Sequence, residues 1–242
     1  MPWEVNLIQD GSRQLVLRRR GAVLELRAGP TVLLSSAALE TERAFGRLVA
    51  GLPGRPRSPH RVLVGGLGFG ATARGVLDAG GPDLRLVVAE KVSAVERLVR
   101  GELAELAGDP LGDPRTTLVL GDVADVIGAA SAEFDAILLD VDNGPDWASF
   151  RENARLYTPT GLNSALRALA DGGLLGIWSG YRADAFLARL RSAGFSPSFV
   201  PLYERNRVRA RAYLGEKAGA ARTPEGSEPT DAARTRSAWS ER

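Results

Sequence analysis

Cysteine is absent from this chain of 242 residues. That excludes disulfides, thiolate catalysis and thiolate-bound metal, and it fits a cytosolic protein. Histidine occurs once, as His60, so a multi-histidine metal centre is excluded too, and no metal is expected. Long apolar runs are missing: none approaches the ~20 residues that span a bilayer. The start, Met1-Pro2-Trp3-Glu4, lacks the basic-then-apolar order of a secretory signal. A cytoplasmic location without a membrane partner is therefore expected. An excess of one charge is also lacking. With 31 Lys and Arg against 29 Asp and Glu, the net charge is +2, too small to argue for nucleic acid. The pI near 9.3 reflects arginine-rich local stretches. What is present is an ordinary globular composition, 44% hydrophobic, long enough for one good core or one domain with a small appendage.

The chain is organised around His60-Arg61-Val62-Leu63-Val64-Gly65-Gly66-Leu67-Gly68-Phe69-Gly70. Val62 to Val64 reads as a strand buried on both faces, and Ala71 to Leu77 as a helix. Between them, Gly66, Gly68 and Gly70 mark a turn that a ligand can approach closely, next to the free N–H groups of a helix start. Glu90 closes the next apolar run, twenty residues past Gly70 (90 − 70). An acid at the end of a second strand is where a ribose diol is held. The stretch is read as a nucleotide site rather than a packing turn. The spacing GxGxG, not GxGxxG, argues against a nicotinamide-dependent dehydrogenase.

Residues 1–36 read as a β-meander, with short apolar runs separated by Asp10-Gly11, Gly21 and Gly29-Pro30. Arg18-Arg19-Arg20 is taken as a solvated hairpin end. Residues 37–60 hold a helix, about Ala37 to Ala50 behind Ser35-Ser36, and a linker rich in Gly and Pro. His60 is read as a surface or packing residue. Across 61–214, strand and helix patterns alternate, which implies a parallel sheet covered by helices on both faces. Expected elements include a helix over 92–106, a helix over 161–170 stopped by Asp171-Gly172-Gly173, a strand over 174–178 and final strands over 195–200 and 208–214. The run Arg205 to Arg211 is taken as the exposed face of an edge strand. Residues 215–242 read as a disordered tail.

Glu90, Asp122 and Asp140 fall at the carboxyl ends of three consecutive predicted strands, and in an open α/β sheet those ends share the ligand crevice. Asp122 is also a candidate helix cap. The residues assign Glu90 to the ribose and Asp122 to an adenine amino group, and face Asp140 to the reacting centre.

The order Val-Leu-Val-Gly-Gly-x-Gly, Val-Val-Ala-Glu, Asp-Pro-Arg, Gly-Asp-Val, Phe-Asp-Ala-Ile-Leu-Leu-Asp and Gly-Gly-Leu-Leu resembles the spermidine synthase (polyamine aminopropyltransferase) family over about residues 30 to 200. The resemblance implies a Rossmann-like class I S-adenosylmethionine-dependent methyltransferase fold. Its elements are a mostly parallel seven-stranded sheet with helices on both faces and a small N-terminal antiparallel β domain. It implies a homodimer, an adenosyl sulfonium donor (S-adenosylmethionine or its decarboxylated form) and a small-molecule amine or other small acceptor. Carried over by position, Gly66, Gly68 and Gly70 form the donor loop, Glu90 binds ribose, Asp122 and Val123 flank adenine, and Asp140 orients and deprotonates the attacking amine. Asp142 and Asn143 then belong to the acceptor stretch. Trp147, Phe150, Tyr157 and Trp178 lie where a lid and pocket wall would be, cradling a cation or packing a core.

Three departures keep alternatives open. Gly68 stands where the family carries the aspartate that holds the amino end of a decarboxylated donor. Asn143 replaces the second acid, with Asp142 beside it, and Phe45 takes the approximate place of a tyrosine. Beside aminopropyl transfer in polyamine biosynthesis stand methyl transfer to a small molecule from intact S-adenosylmethionine, and a non-catalytic nucleoside-binding homologue.

Overall fold

A computed structural model describes residues 2–51, 59–141, 144–146 and 151–219. The chain begins with four antiparallel strands in sequential order, β1 Glu4–Asp10, β2 Arg13–Arg20, β3 Val23–Ala28 and β4 Thr31–Ser35. Alternation decides their faces. Leu15, Leu17, Leu24 and Leu26 turn inward and are buried, whereas Arg18 faces its cross-strand partner Glu25 and pairs with it at 2.5 Å. Arg18 and Arg20 also stack over the Trp3 ring, 4.0 and 4.6 Å from its centroid, so this arginine run is held locally.

The second sheet has seven strands in the order β10-β11-β9-β8-β5-β6-β7. They are β5 Arg61–Gly65, β6 Arg85–Glu90, β7 Thr116–Leu120, β8 Phe134–Leu139, β9 Leu169–Ser179, β10 Ser196–Glu204 and β11 Arg207–Glu216. Strands β5 to β9 pair in parallel, and β10 and β11 complete the sheet antiparallel. Helices α1 Leu39–Arg47, α2 Ala71–Ala79 and α3 Ser93–Arg100 share a core with Val62, Val64, Val88 and Leu138. Helices α4 Val123–Ala129, α5 Pro159–Ala168 and α6 Phe186–Ser192 share another with Leu63, Ile137, Leu139 and Ile177. Adjacent residues of one strand thus enter opposite cores, which is why the central strands read as unbroken apolar runs. This is the expected α/β Rossmann-like class I methyltransferase architecture with its small N-terminal sheet.

The N-terminal sheet is tied to the larger one by more than apolar contact. The Asp10 carboxylate accepts from Ser93 Oγ at 2.7 Å and from Ala94 N at 3.0 Å, capping α3 from another layer. Arg97 adds a bond to the Gln9 carbonyl at 2.8 Å.

Several expected boundaries are corrected. The helix over 37–50 is α1 with 3-10 turns at 36–38 and 48–51. The helix over 92–106 stops at Arg100, where the Gly101 amide turns back to the Arg97 and Leu98 carbonyls. Asp171-Gly172-Gly173 is not a helix stop but part of β9, because Leu169 already pairs with Phe134 and Leu174 with Ala136, the extra β9 residues between them being taken up in a register shift. Strand β11 is interior only from Arg211 onward, where it pairs with β9; Arg207 to Ala210 pairs with β10 alone and residues 205–209 are exposed, as read for an edge. Ordered pairing also continues past 215. Lys217 N donates to the Gly173 carbonyl at 2.8 Å, while positions 220–242 lie outside the described residues.

Helices α1 and α2 approach through glycines. A Cβ on Gly75 would overlap the Arg43 carbonyl, and one on Gly46 would overlap the Thr72 carbonyl. Alanine gains about 1 kcal/mol of helix propensity over glycine. The steric cost wins at such a contact, where overpacking takes about 1–3 kcal/mol and a backbone atom cannot yield easily. Gly75→Ala is expected to lower unfolding stability by about 2 kcal/mol in urea titration. Gly51→Ala, whose Cβ would meet nothing within 4 Å, should stay within about 0.5 kcal/mol of wild type.

Candidate functional site

Winding reverses at β5, which pairs with β6 on one side and β8 on the other. Loops leaving the carboxyl ends of such strands diverge and open a crevice. Here the crevice is lined by Gly66 and Gly68 after β5, Ala89 to Val92 after β6, Gly121 to Val123 after β7, and Asp140 and Val141 after β8. Leu33 and Leu34 of the N-terminal sheet, Val95 of α3 and Asn153 add to the lining.

The glycine loop needs its glycines for local reasons. Gly66 has φ +89°, and a Cβ there would collide with the Asp140 carbonyl; its amide donates to Ala89 O at 2.9 Å. Gly68 has φ +55°, and among the described residues a Cβ would meet only Leu34 Cδ2 at 3.7 Å. Gly70 caps α2 in the left-handed conformation and is not among the lining residues.

Three carboxylates share the crevice in different surroundings. Glu90 is buried; its Oε2 accepts from Leu67 N at 2.9 Å and its Oε1 from Val92 N at 2.7 Å. Desolvation outweighs those backbone bonds and raises its pKa. Asp122 is the N-cap of α4, accepting from Ala124 N at 2.9 Å, and it pairs with Lys91 at 3.3 Å and Arg155 at 2.8 Å. Burial acts to raise its pKa, but the helix amide and the two cations prevail and hold it low. Asp140 continues β8, its amide donating to Gly65 O at 2.8 Å, and its Oδ2 accepts from Thr72 Oγ1. Desolvation raises its pKa from 3.8 to about 6 against the lowering effect of the Thr72 bond.

Glu42 of α1 joins this last group. It is half-buried, its carbonyl accepts from Thr72 Oγ1 at 3.2 Å, and its carboxyl is raised by desolvation and then by the Asp140 charge. Glu42, Thr72 and Asp140 therefore form one cluster drawn from three elements. Glu42 was missed by sequence reasoning because, in periodicity, it sits on a polar helix face that reads as solvated. Lys91 had a visible signal, a cation directly after Glu90. Glu152, Asn153 and Arg155 had none, being placed by a 3-10 turn, Arg151–Tyr157, that no pattern announces.

The remaining expected residues are distributed differently. Val123 lines the crevice beside Asp122. Tyr157 is buried in the core, edge-on to Phe186 at 6.0 Å, and Trp178 is buried at the end of β9 with its indole N–H unpartnered among the described residues. Neither is among the described residues that line the crevice. Asp142, Asn143, Trp147 and Phe150 lie outside the described residues. Phe45 is fully buried, its ring against Gly176. Among the described residues no group of three His, Cys, Asp or Glu is placed to hold a metal, and no helix is long and apolar enough to cross a membrane.

No family model matches the chain. Over 118 residues it is 29% identical to a polyamine aminopropyltransferase of Korarchaeum cryptofilum (strain OPF8), a match covering 49% of this chain and 35% of that protein. The chain thus spans about a third of the length of the curated relative it matches. A spermidine synthase solved with the transition-state analogue AdoDATO superposes with a TM-score of 0.69 at 16% identity, covering 88% of this chain and 72% of the other. The spermidine synthase of Thermotoga maritima gives 0.70 at 16% identity, covering 88% and 73%. A probable spermidine synthase of Corynebacterium glutamicum ATCC 13032 gives 0.62 at 16% identity, covering 89% and 81%. The chain shares the fold of those enzymes, a mostly parallel seven-stranded sheet with helices on both faces behind a small antiparallel N-terminal sheet.

The raised Asp140 pKa has a stability consequence. The folded carboxyl holds its proton more tightly than the unfolded one, so its contribution is complete below about pH 4 and is lost as pH rises through about 6. A full shift of this size is worth about 3 kcal/mol, and partial solvation of the crevice reduces that to about 2 kcal/mol. Asp140→Asn is expected to gain stability relative to wild type by that amount between pH 4 and pH 8 in urea titration. A difference that stays flat across the range would show that the carboxyl is well hydrated.

Proposed function

We propose that the crevice binds an adenosyl sulfonium donor and that the chain transfers an aminopropyl group from decarboxylated S-adenosylmethionine to a small amine, as in polyamine biosynthesis. The observation that carries the reading is Asp140: a desolvated carboxyl at the switch point of the sheet, in the same crevice as a buried acid at the ribose position.

The chemistry asks for such a group. An amine reaches the site as an ammonium ion and must lose a proton before its lone pair can attack. Attack on the methylene carbon beside the sulfonium forms a C–N bond and breaks a C–S bond. The electron pair of that bond goes to sulfur and leaves neutral methylthioadenosine. Asp140, ionised above about pH 6, holds the ammonium and accepts the proton. Thr72 fixes the carboxyl's orientation through its hydroxyl bond. Placing amine and sulfonium in one desolvated crevice supplies further acceleration by proximity. Glu90 would hold the ribose, and Gly66 and Gly68 would let the donor lie against the backbone. Gly121 to Val123 would form the wall at the base. The polyamine aminopropyltransferase similarity supports aminopropyl over methyl transfer. A cytoplasmic homodimer accords with the family resemblance and belongs to the same proposal.

Two experiments test this reading. Asp140→Asn should keep methylthioadenosine binding in calorimetry and lose at least about 100-fold in turnover. Wild-type kcat should rise with pH through about 6; unchanged turnover in the variant would overturn the role. The second concerns the donor. Gly68 has a left-handed φ, which aspartate tolerates better than most side chains, and open space beyond its Cβ. Gly68→Asp should improve the preference for decarboxylated over intact S-adenosylmethionine by about tenfold. The new carboxylate would attract the free ammonium and repel the intact donor's carboxylate.

A further inference from the structure

Four arginines fall within seven residues at the β10-β11 hairpin, Arg205, Arg207, Arg209 and Arg211, with no acid among them. The strand pairing shows where they project. Strand β9 ends at Ser179, opposite Arg211, so Arg207 to Ala210 and the turn before them run on past it, paired with β10 alone. Residues 205–209 are exposed. Glu204 meets Arg209 at 3.6 Å, whereas Arg205 and Arg207 form no ion pair among the described residues. This overhang carries uncompensated positive charge that the net charge of the whole chain, +2, conceals.

The turn at its tip runs against propensity. Arg205 and Asn206 both have positive φ, +46° and +63°, in a two-residue hairpin loop of the kind that favours Asn-Gly or Asp-Gly. Arginine in the left-handed region costs energy where glycine would not. Charge at the tip, not turn geometry, accounts for it.

Charge on an edge strand can serve only to repel other strands. Two observations go beyond that role. The edge is already blunted by Pro197 and Pro201, opposite Gly215 and Arg211, which have no N–H to offer an added strand. The hairpin also exposes apolar side chains: Phe199 at 48%, Tyr203 at 52% and Val208, cross-strand from Tyr203, at 44%. A strand that only repels gains nothing from them.

We propose that the β10-β11 hairpin docks a partner chain through an acidic polypeptide segment that also carries apolar side chains. Its carboxylates meet Arg205 and Arg207, and its apolar side chains cover Phe199, Tyr203 and Val208. The prolines fix the mode: the segment lies across the hairpin's side chains and does not extend the sheet as a further strand. Phe199 and Tyr203 stand four residues apart, about 13 Å along the strand, too wide a gap for neighbouring stacked bases of a single-stranded nucleic acid. The inference is independent of the reaction proposed for the crevice.

The test is fluorescence anisotropy of a labelled glutamate–tyrosine copolymer with the full chain at low salt. Unlabelled poly-glutamate, polyuridylate and phosphatidylserine vesicles serve as competitors. Wild type is expected to bind the copolymer, with each competitor at least about tenfold less effective than unlabelled copolymer. Arg205→Glu/Arg207→Glu should weaken the copolymer by at least about tenfold. Phe199→Ser should weaken the copolymer and leave poly-glutamate unchanged. Arg85→Glu, at an exposed arginine that opens β6 at the other end of the sheet, should bind as wild type does. No binding of the copolymer by wild type overturns the proposal without need of any variant. So does equal competition by poly-glutamate, which would leave charge alone, or by polyuridylate or vesicles, which would assign another class of partner. Equal weakening by Arg85→Glu would mark attraction to overall charge and overturn it too.

Discussion

Strand β5 has parallel partners on both sides, and every part of the crevice hangs from that pairing. Two parallel neighbours bury both faces of the strand and demand helical cover above and below it. The same pairing makes the chain wind outward in opposite directions, so the loops after β5 and β8 part from each other. Gly66 lies at that parting, against the Asp140 carbonyl, where a side chain has no room. The glycine loop and the start of the loop carrying Asp140 are thus fixed together by main-chain geometry.

Three acids in this small space are shifted in different directions because their surroundings differ. Glu90 and Asp140 are desolvated and held up, whereas Asp122 lies between two cations at a helix start and is held down. A permanently ionised carboxylate is a poor proton acceptor and a good anchor. One whose pKa lies near 6 exchanges protons at neutral pH. Environment rather than residue type therefore separates an anchoring acid from a reactive one. The Asp140 charge in turn raises Glu42 beyond what burial does, and two neighbouring desolvated carboxyls favour sharing a proton or receiving a cation.

The N-terminal sheet contributes to the site as well as to the core. Leu33 and Leu34 supply an apolar wall, and Asp10 caps the helix that follows Glu90. Displacing that sheet would hydrate the crevice and relax the helix that follows Glu90. Of the departures from the spermidine synthase pattern that fall on described residues, Gly68 lies under Leu34 and Phe45 is fully buried against Gly176.

Much of this was legible in the sequence, for local physical reasons. Unbroken aliphatic runs ending in Gly66, Glu90, Asp122 and Asp140 announce buried parallel strands, whose carboxyl ends share one crevice. Alternating Leu and Arg announces the N-terminal meander. Only the tertiary structure decided which further groups meet there. Periodicity says which face of α1 is polar but not that Glu42 overhangs β8. The contact comes from the glycine-mediated approach of α1 to α2, a fact of two segments about thirty residues apart. Tyr157 and Trp178 carry the chemistry of a pocket wall, yet packing consumed both, because burial depends on what the rest of the chain places beneath them. Asn153 had no pattern at all and was positioned by ion pairs from its neighbours. Strand ends are set by local sequence, whereas long-range charge and packing choose the side chains that surround them.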